Sequence, residues 1–92
     1  MNHAEFKPGV YRHYKGRYYL ALGLARADES GATVVVYTRL YPRAGLPMST
    51  RLLNVWNEQV AAADGTTQAR FAYVGHETPA ADVRETHPDS AR

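Results

Sequence analysis

Between Gly31 and Pro42 the chain reads Ala32-Thr33-Val34-Val35-Val36-Tyr37-Thr38-Arg39-Leu40-Tyr41, and this stretch constrains the fold more than any other. Consecutive β-branched valines followed by an aromatic residue lose too much side-chain freedom in a helix and fit a pleated, half-buried strand. Side chains alternate along a strand, so Val34, Val36, Thr38 and Leu40 share one face while Val35, Tyr37, Arg39 and Tyr41 share the other. The second face becomes amphipathic toward its end. Such a strand needs antiparallel neighbours, and the chain before it supplies them. Val10 to Tyr14 alternates, Lys15-Gly16-Arg17 is a turn, and Tyr18 to Arg26 is a second run, which together predict a β-hairpin. In the second run Tyr18, Leu20, Leu22 and Leu24 form the larger face and are expected to point inward; Tyr19, Ala21, Gly23 and Ala25 face the other way. Asp28-Glu29-Ser30-Gly31 is the polar turn that returns the chain to the valine strand.

After Tyr41 the pattern changes. Pro42, Gly45 and Pro47 interrupt regular structure and predict a loop ordered only in part. Leu53, Trp56 and Val60 follow helical spacing, with Ser49 or Thr50 as caps and Asp64-Gly65 as a stop, so a short helix is expected from Leu53 to Val60. A last strand is expected from about Gln68 to Gly75, with Ala69, Phe71 and Tyr73 alternating against Arg70, Ala72 and Val74. The expected fold is mostly β: a small SH3-like barrel or roll with one short helix, since one short helix is too little for a ferredoxin-like α+β domain. On this reading residues 1–8 form an N-terminal arm, 9–75 the β domain, and 76–92 a disordered acidic tail.

A chain of 92 residues buries only about 60–65% of its unfolded surface, so a deep active site has little room, and seven tyrosines with one tryptophan must carry much of the core. The absence of cysteine removes disulfides, thiol nucleophiles and thiolate metal sites. Neither a signal peptide nor an apolar run of membrane-spanning length is visible, and the expected location is cytoplasmic. Charge is uneven: residues 1–75 hold nine Lys and Arg against five Asp and Glu, whereas residues 76–92 hold two against four. A basic domain with an acidic tail suggests an anionic partner that the tail could imitate by folding back.

The word Gly9-Val10-Tyr11-Arg12-His13-Tyr14-Lys15-Gly16, the later Val35-Val36-Tyr37 with Leu40-Tyr41, and Trp56-Asn57-Glu58-Gln59-Val60 followed by Arg70-Phe71 resemble the bacterial domain-of-unknown-function 1653 family over about residues 9–73. The resemblance implies an SH3-type β-roll and carries no activity with it. It also marks departures. Ala27 stands at a position where the family usually has histidine, Ser49-Thr50-Arg51-Leu52 replaces a usual Trp-Val-Arg-Pro with only Arg51 retained, and Trp56 stands at a usual phenylalanine.

Candidate chemistry centres on the hairpin and the valine strand. Tyr11, His13, Lys15, Arg17 and Tyr19, with Tyr37, Arg39 and Tyr41, interleave aromatic and basic side chains as surfaces that stack bases and hold phosphates do. We therefore take Tyr11, His13, Lys15, Arg17, Tyr37, Arg39 and Tyr41 as candidate ligand contacts. The plain structural alternative is that the tyrosines pack with wet hydroxyls while arginine stems cover apolar surface. His13 is the one candidate for acid–base work, yet no Ser-His-Asp or His-Glu constellation is visible, so no catalytic residue is assigned. The four histidines form no local ligand motif, and neither a metal nor another cofactor is expected. Glu58 is placed to pair with Arg51 or Arg70. The first functional reading is a non-enzymatic binding module for an anionic partner: nucleic acid, nucleotide or acidic peptide. The alternatives are a small enzyme or enzyme-accessory domain with a shallow pocket around His13, Tyr37 and Arg39, and a homodimerisation module using Tyr41, Leu46, Pro47 and Met48.

Overall fold

The valine stretch forms β3 (Thr33–Arg39), and the hairpin ahead of it supplies β1 (Gly9–His13) and β2 (Tyr18–Arg26), in a computed structural model that describes residues 6–77. The ladders place Tyr11 opposite Tyr19, and Ala21 opposite Tyr37. Gly16 closes the β1–β2 turn at φ 110°, its amide donating to the His13 carbonyl at 2.7 Å. A Cβ at that φ would be strained, which is why glycine stands there.

The remaining elements are β4 (Met48–Leu52), α1 (Leu53–Trp56), β5 (Gln59–Ala61), β6 (Thr67–Ala69) and β7 (Phe71–Gly75). Five strands make one antiparallel sheet in the order β4-β3-β2-β1-β7, and β5 and β6 make a separate hairpin. The mostly β class with one short helix is as the sequence predicts. β4 and β7 are the two sheet edges, yet the Arg51 guanidinium of β4 lies 5.3 Å from the centre of the Phe71 ring of β7. The sheet is therefore rolled, with its edges meeting through side chains across one face.

Several sequence expectations are corrected. Ser49 and Thr50 are not helix caps; they pair with Tyr37 and Val36 in the β3–β4 ladder. α1 is a single turn that buries Leu53 and Trp56, and it ends where the Glu58 amide bonds the Val55 carbonyl at 3.1 Å and the Glu58 carbonyl accepts the Arg70 amide at 2.9 Å. Pairing with the last strand region thus competes successfully with further helix, and Val60 falls on β5, half-buried. Asp64-Gly65 is the turn of the β5–β6 hairpin instead of a helix stop; Asp64 Oδ1 accepts the Thr66 amide at 3.0 Å. The expected last strand divides at Arg70 into β6 and β7. The expected inward face of β2 is also overturned in its first half. Ala21 is 1% exposed and Tyr19 packs on the core, whereas Leu22 is 48% exposed. A register shift between Ala21 and Gly23 inserts one extra residue, so the inward set becomes Tyr19, Ala21 and Leu24.

The core joins Phe6, Tyr11, Ala21, Val35, Tyr37, Leu53, Trp56 and Phe71. Trp56 lies flat on Phe71, centroids 3.7 Å apart and 2° between planes, and meets Tyr11 and Tyr37 edge-on at 5.1 and 5.0 Å. Such pairs add roughly 0.5–1.5 kcal/mol each beyond the area they bury. Phe6, read from sequence as part of an arm, is a core residue stacked on Tyr11 at 5.9 Å. β1 and β7 approach closely where β1 begins: a Cβ on Gly9 would fall 2.8 Å from the Gly75 carbonyl oxygen. From residue 78 onward, the expected acidic tail lies outside the described residues.

Candidate functional site

Tyr11, His13, Tyr19, Tyr37 and Tyr41 are linked ring to ring, directly or through Trp56, on one side of the sheet, and that side is divided. Toward α1 it is sealed: Tyr11 is 3% exposed with its hydroxyl donating to the Lys7 carbonyl at 2.7 Å, and burial pushes its phenol above the usual value. Tyr37 is 7% exposed, and its hydroxyl oxygen receives a long bond from Arg51 Nε at 3.4 Å. Both rings face Trp56 and leave little surface for a ligand.

Toward the β1–β2 turn the same face is open and cationic. His13 sits edge-on to Phe71 at 4.9 Å and beside Tyr14 at 4.6 Å. Its Nδ1 accepts the Lys15 amide at 3.2 Å, which places the proton of the neutral ring on Nε2. Partial burial lowers the His13 pKa, and the charges of Arg51, Arg70 and Lys15 lower it further. His13 is therefore a neutral donor near pH 7. Around it the cations lie against rings: Lys15 and Arg70 are 5.8 and 6.0 Å from the Tyr14 centroid, and Arg51 covers Phe71. On the β2–β3 side Arg17 lies 4.4 Å over Tyr41, and the Tyr41 and Tyr19 hydroxyls are 2.7 Å apart. An open depression of about 290 Å³ is lined there by Arg17, Tyr41, Pro42 and Arg43.

Neutralisation of these cations is sparse. Among the described residues the ion pairs are Arg26–Asp28 at 3.6 Å and Arg70–Glu58 at 2.9 Å; Lys15, Arg17, Arg43 and Arg51 take part in neither. The second pair is one of the two expected for Glu58. Guanidinium groups stacked on rings keep their in-plane N–H donors available, so the rim is rich in donors and poor in acceptors. It is chemically suited to bind anions. Among the described residues there is no group of three His, Cys, Asp or Glu side chains able to hold a metal ion, and no helix long and apolar enough to cross a membrane.

Of the sequence candidates, the structure thus brings His13, Lys15, Arg17 and Tyr41 to the open rim and keeps Tyr11 and Tyr37 in the sealed half. Arg39 does something else. Its guanidinium donates to the carbonyls of Leu46 at 2.7 Å, Gly45 at 2.8 Å and Arg43, and so clasps the loop after β3. That loop, expected to be ordered only in part, is wound around one side chain. Leu46 in this loop is 87% exposed, and Met48 at the start of β4 is 52% exposed. Sequence reasoning did not select Tyr14, Arg43, Arg51 or Arg70 for the site. Arg51 could have been found as the residue retained within the family-like segment before the helix; Arg43 lies between Pro42 and Gly45, where no periodicity reports direction.

Comparison with known proteins agrees with this architecture. The sequence model of a family described as proteins of unknown function, DUF1653, matches residues 9–73. No curated protein matches the chain. A crystal structure of a DUF1653 protein from Bordetella bronchiseptica is 70% identical, covers 85% of this chain and 99% of its own, and superposes with a TM-score of 0.82. Family match and structural likeness fall on the same rolled sheet, and the chain belongs to the DUF1653 family.

Proposed function

We propose that this protein is a non-enzymatic binding module whose open aromatic and cationic rim takes an anionic partner, with single-stranded nucleic acid as the class that uses both features. One observation carries the reading: Lys15 and Arg17 lie against Tyr14 and Tyr41 at the turn end of the sheet without a carboxylate partner among the described residues. Cations at this density repel one another unless an anion relieves them, and rings between them offer stacking surface to bases. His13 supports binding over catalysis. A neutral imidazole held by a backbone amide and surrounded by positive charge is a poor base, and no carboxylate pairs with it among the described residues.

The test is affinity for a short mixed-sequence single-stranded oligonucleotide at two salt concentrations. The reading predicts binding that weakens as salt rises, with Lys15→Gln and Arg17→Gln each weakening it and flattening its salt dependence by about one counterion. Absence of binding at low salt contradicts it.

A further inference from the structure

The depression at the end of β3 has a donor set that specifies a ligand more narrowly than a basic surface does. Tyr41 is central to it. The Tyr19 phenol is pushed up to about 12, first by burial and then by its bond to Tyr41, so Tyr19 holds its proton. The Tyr41 and Tyr19 hydroxyls share one hydrogen bond at 2.7 Å, and the Arg17 guanidinium lies 4.4 Å over the Tyr41 ring. Burial raises the Tyr41 pKa, but its bond with Tyr19 and the nearby Arg43 and Arg17 side chains outweigh it and leave the phenol below the usual value. Two hydroxyls that share one hydrogen bond leave one O–H without a partner in the pair, and an anion beside Tyr41, which lines the depression, satisfies both protons through the order Tyr19 O–H to Tyr41 to anion.

The mouth is then bounded by the Arg17 guanidinium, the Arg43 guanidinium and the Tyr41 O–H, closed on one side by Pro42, which has no N–H. It offers two positive charges and three donor groups, and none of these side chains brings a carboxylate. Arg39 sets the position of Arg43 by holding its carbonyl, which makes Arg39 a positioning residue for the mouth. A phosphate monoester carries about two negative charges near pH 7 and three non-bridging oxygens, whereas a diester carries one charge and two such oxygens.

We propose that the Arg17–Tyr41–Arg43 depression is a subsite for a phosphate monoester, such as the 5′-phosphate of a nucleotide or of a single-stranded end. The proposal deepens the binding reading above and rests on it for the neighbouring base contacts. The monoester sits in the mouth with its oxygens toward the two guanidinium groups and the phenol. The attached sugar and base extend toward Tyr14 and His13.

The test compares two oligonucleotides of one sequence, one 5′-phosphorylated and one ending in a 5′-hydroxyl, together with inorganic phosphate alone. The proposal predicts about tenfold tighter binding of the phosphorylated strand, equivalent to about 1.4 kcal/mol. It also predicts that Arg17→Gln and Arg43→Gln abolish that difference, each weakening the phosphorylated strand more than the hydroxyl strand. Inorganic phosphate should raise the Tyr41 pKa, read as a later tyrosinate absorbance rise on alkaline titration and assigned by its loss in Tyr41→Phe. Equal affinity for the two strands overturns the subsite and leaves the rim as a general anion surface. Binding of neither strand, with the phosphate-dependent Tyr41 shift intact, supports the subsite and contradicts the nucleic-acid reading. No strand difference and no Tyr41 shift refutes the subsite outright.

Discussion

The two halves of one sheet face use the same kinds of side chain for different ends. In the sealed half Tyr11, Tyr37 and Phe71 converge on Trp56, with Phe6 closing the far side. In the open half Tyr14, Tyr19 and Tyr41 lie beside His13, Lys15 and Arg17, and cations take the place that Trp56 holds elsewhere. Aromatic alternation alone thus does not distinguish packing from binding. What decides is the element laid over the face: the single turn of α1 reaches Tyr11 and Tyr37 and leaves the turn end of the sheet open.

The comparison breaks most readily at Trp56. Removing the ring in Trp56→Ala should cost about 3–5 kcal/mol, read as a lower denaturation midpoint, because it empties the centre of the sealed half. Trp56→Phe should cost less than truncation, in part because the Trp56 indole N–H is buried without an acceptor and its loss relieves that penalty. Arg17→Gln, in the open half, should move stability by no more than about 0.5 kcal/mol while weakening anion binding. A large stability loss in Arg17→Gln would make that cation structural and erase the contrast between halves.

The smallest effect concerns pH. His13 in the folded protein binds its proton less readily than in the unfolded chain, whose value is about 6.5. The unfolded state therefore takes up protons first as pH falls, and His13 contributes stability that is present above about pH 6.5 and is lost as pH drops through the folded pKa. Chemical denaturation of His13→Gln between pH 7.5 and 5 should show a shallower decline than the parent. An identical decline in both would remove His13 from the account.

Much of the fold is legible in the sequence because local chemistry and tertiary structure agree there. Val34-Val35-Val36-Tyr37 combines high strand propensity with burial in β3, and Gly16 and Gly31 sit where turns need positive φ. The misread segments are those in which a partner decides. Met48–Leu52 has no strong strand signal of its own and becomes β4 through pairing with β3. Gln59–Ala61 leaves the helical pattern because Thr67–Ala69 is available to pair with it. The bulge at Leu22 reverses the inward face of β2, and alternation cannot report an inserted residue. The same limit applies to the site. Period-two spacing places Tyr11 and His13 on one face, but it does not say that Trp56 covers one and leaves the other at the rim. Arg39 is similarly opaque, since its role depends on carbonyls four to seven residues away in a loop without periodicity.

The central claim, that the open half binds and the sealed half packs, is tested most directly by amide NMR of the labelled protein during titration with a single-stranded oligonucleotide at low salt. The account predicts shifts concentrated at residues 13–19, 41–43, 51 and 70–71 that fade as salt rises, with the amides of Val35 and Leu53 unmoved. Shifts centred on the outer sheet face around Leu22 and Leu52, or no shifts at all, would contradict it.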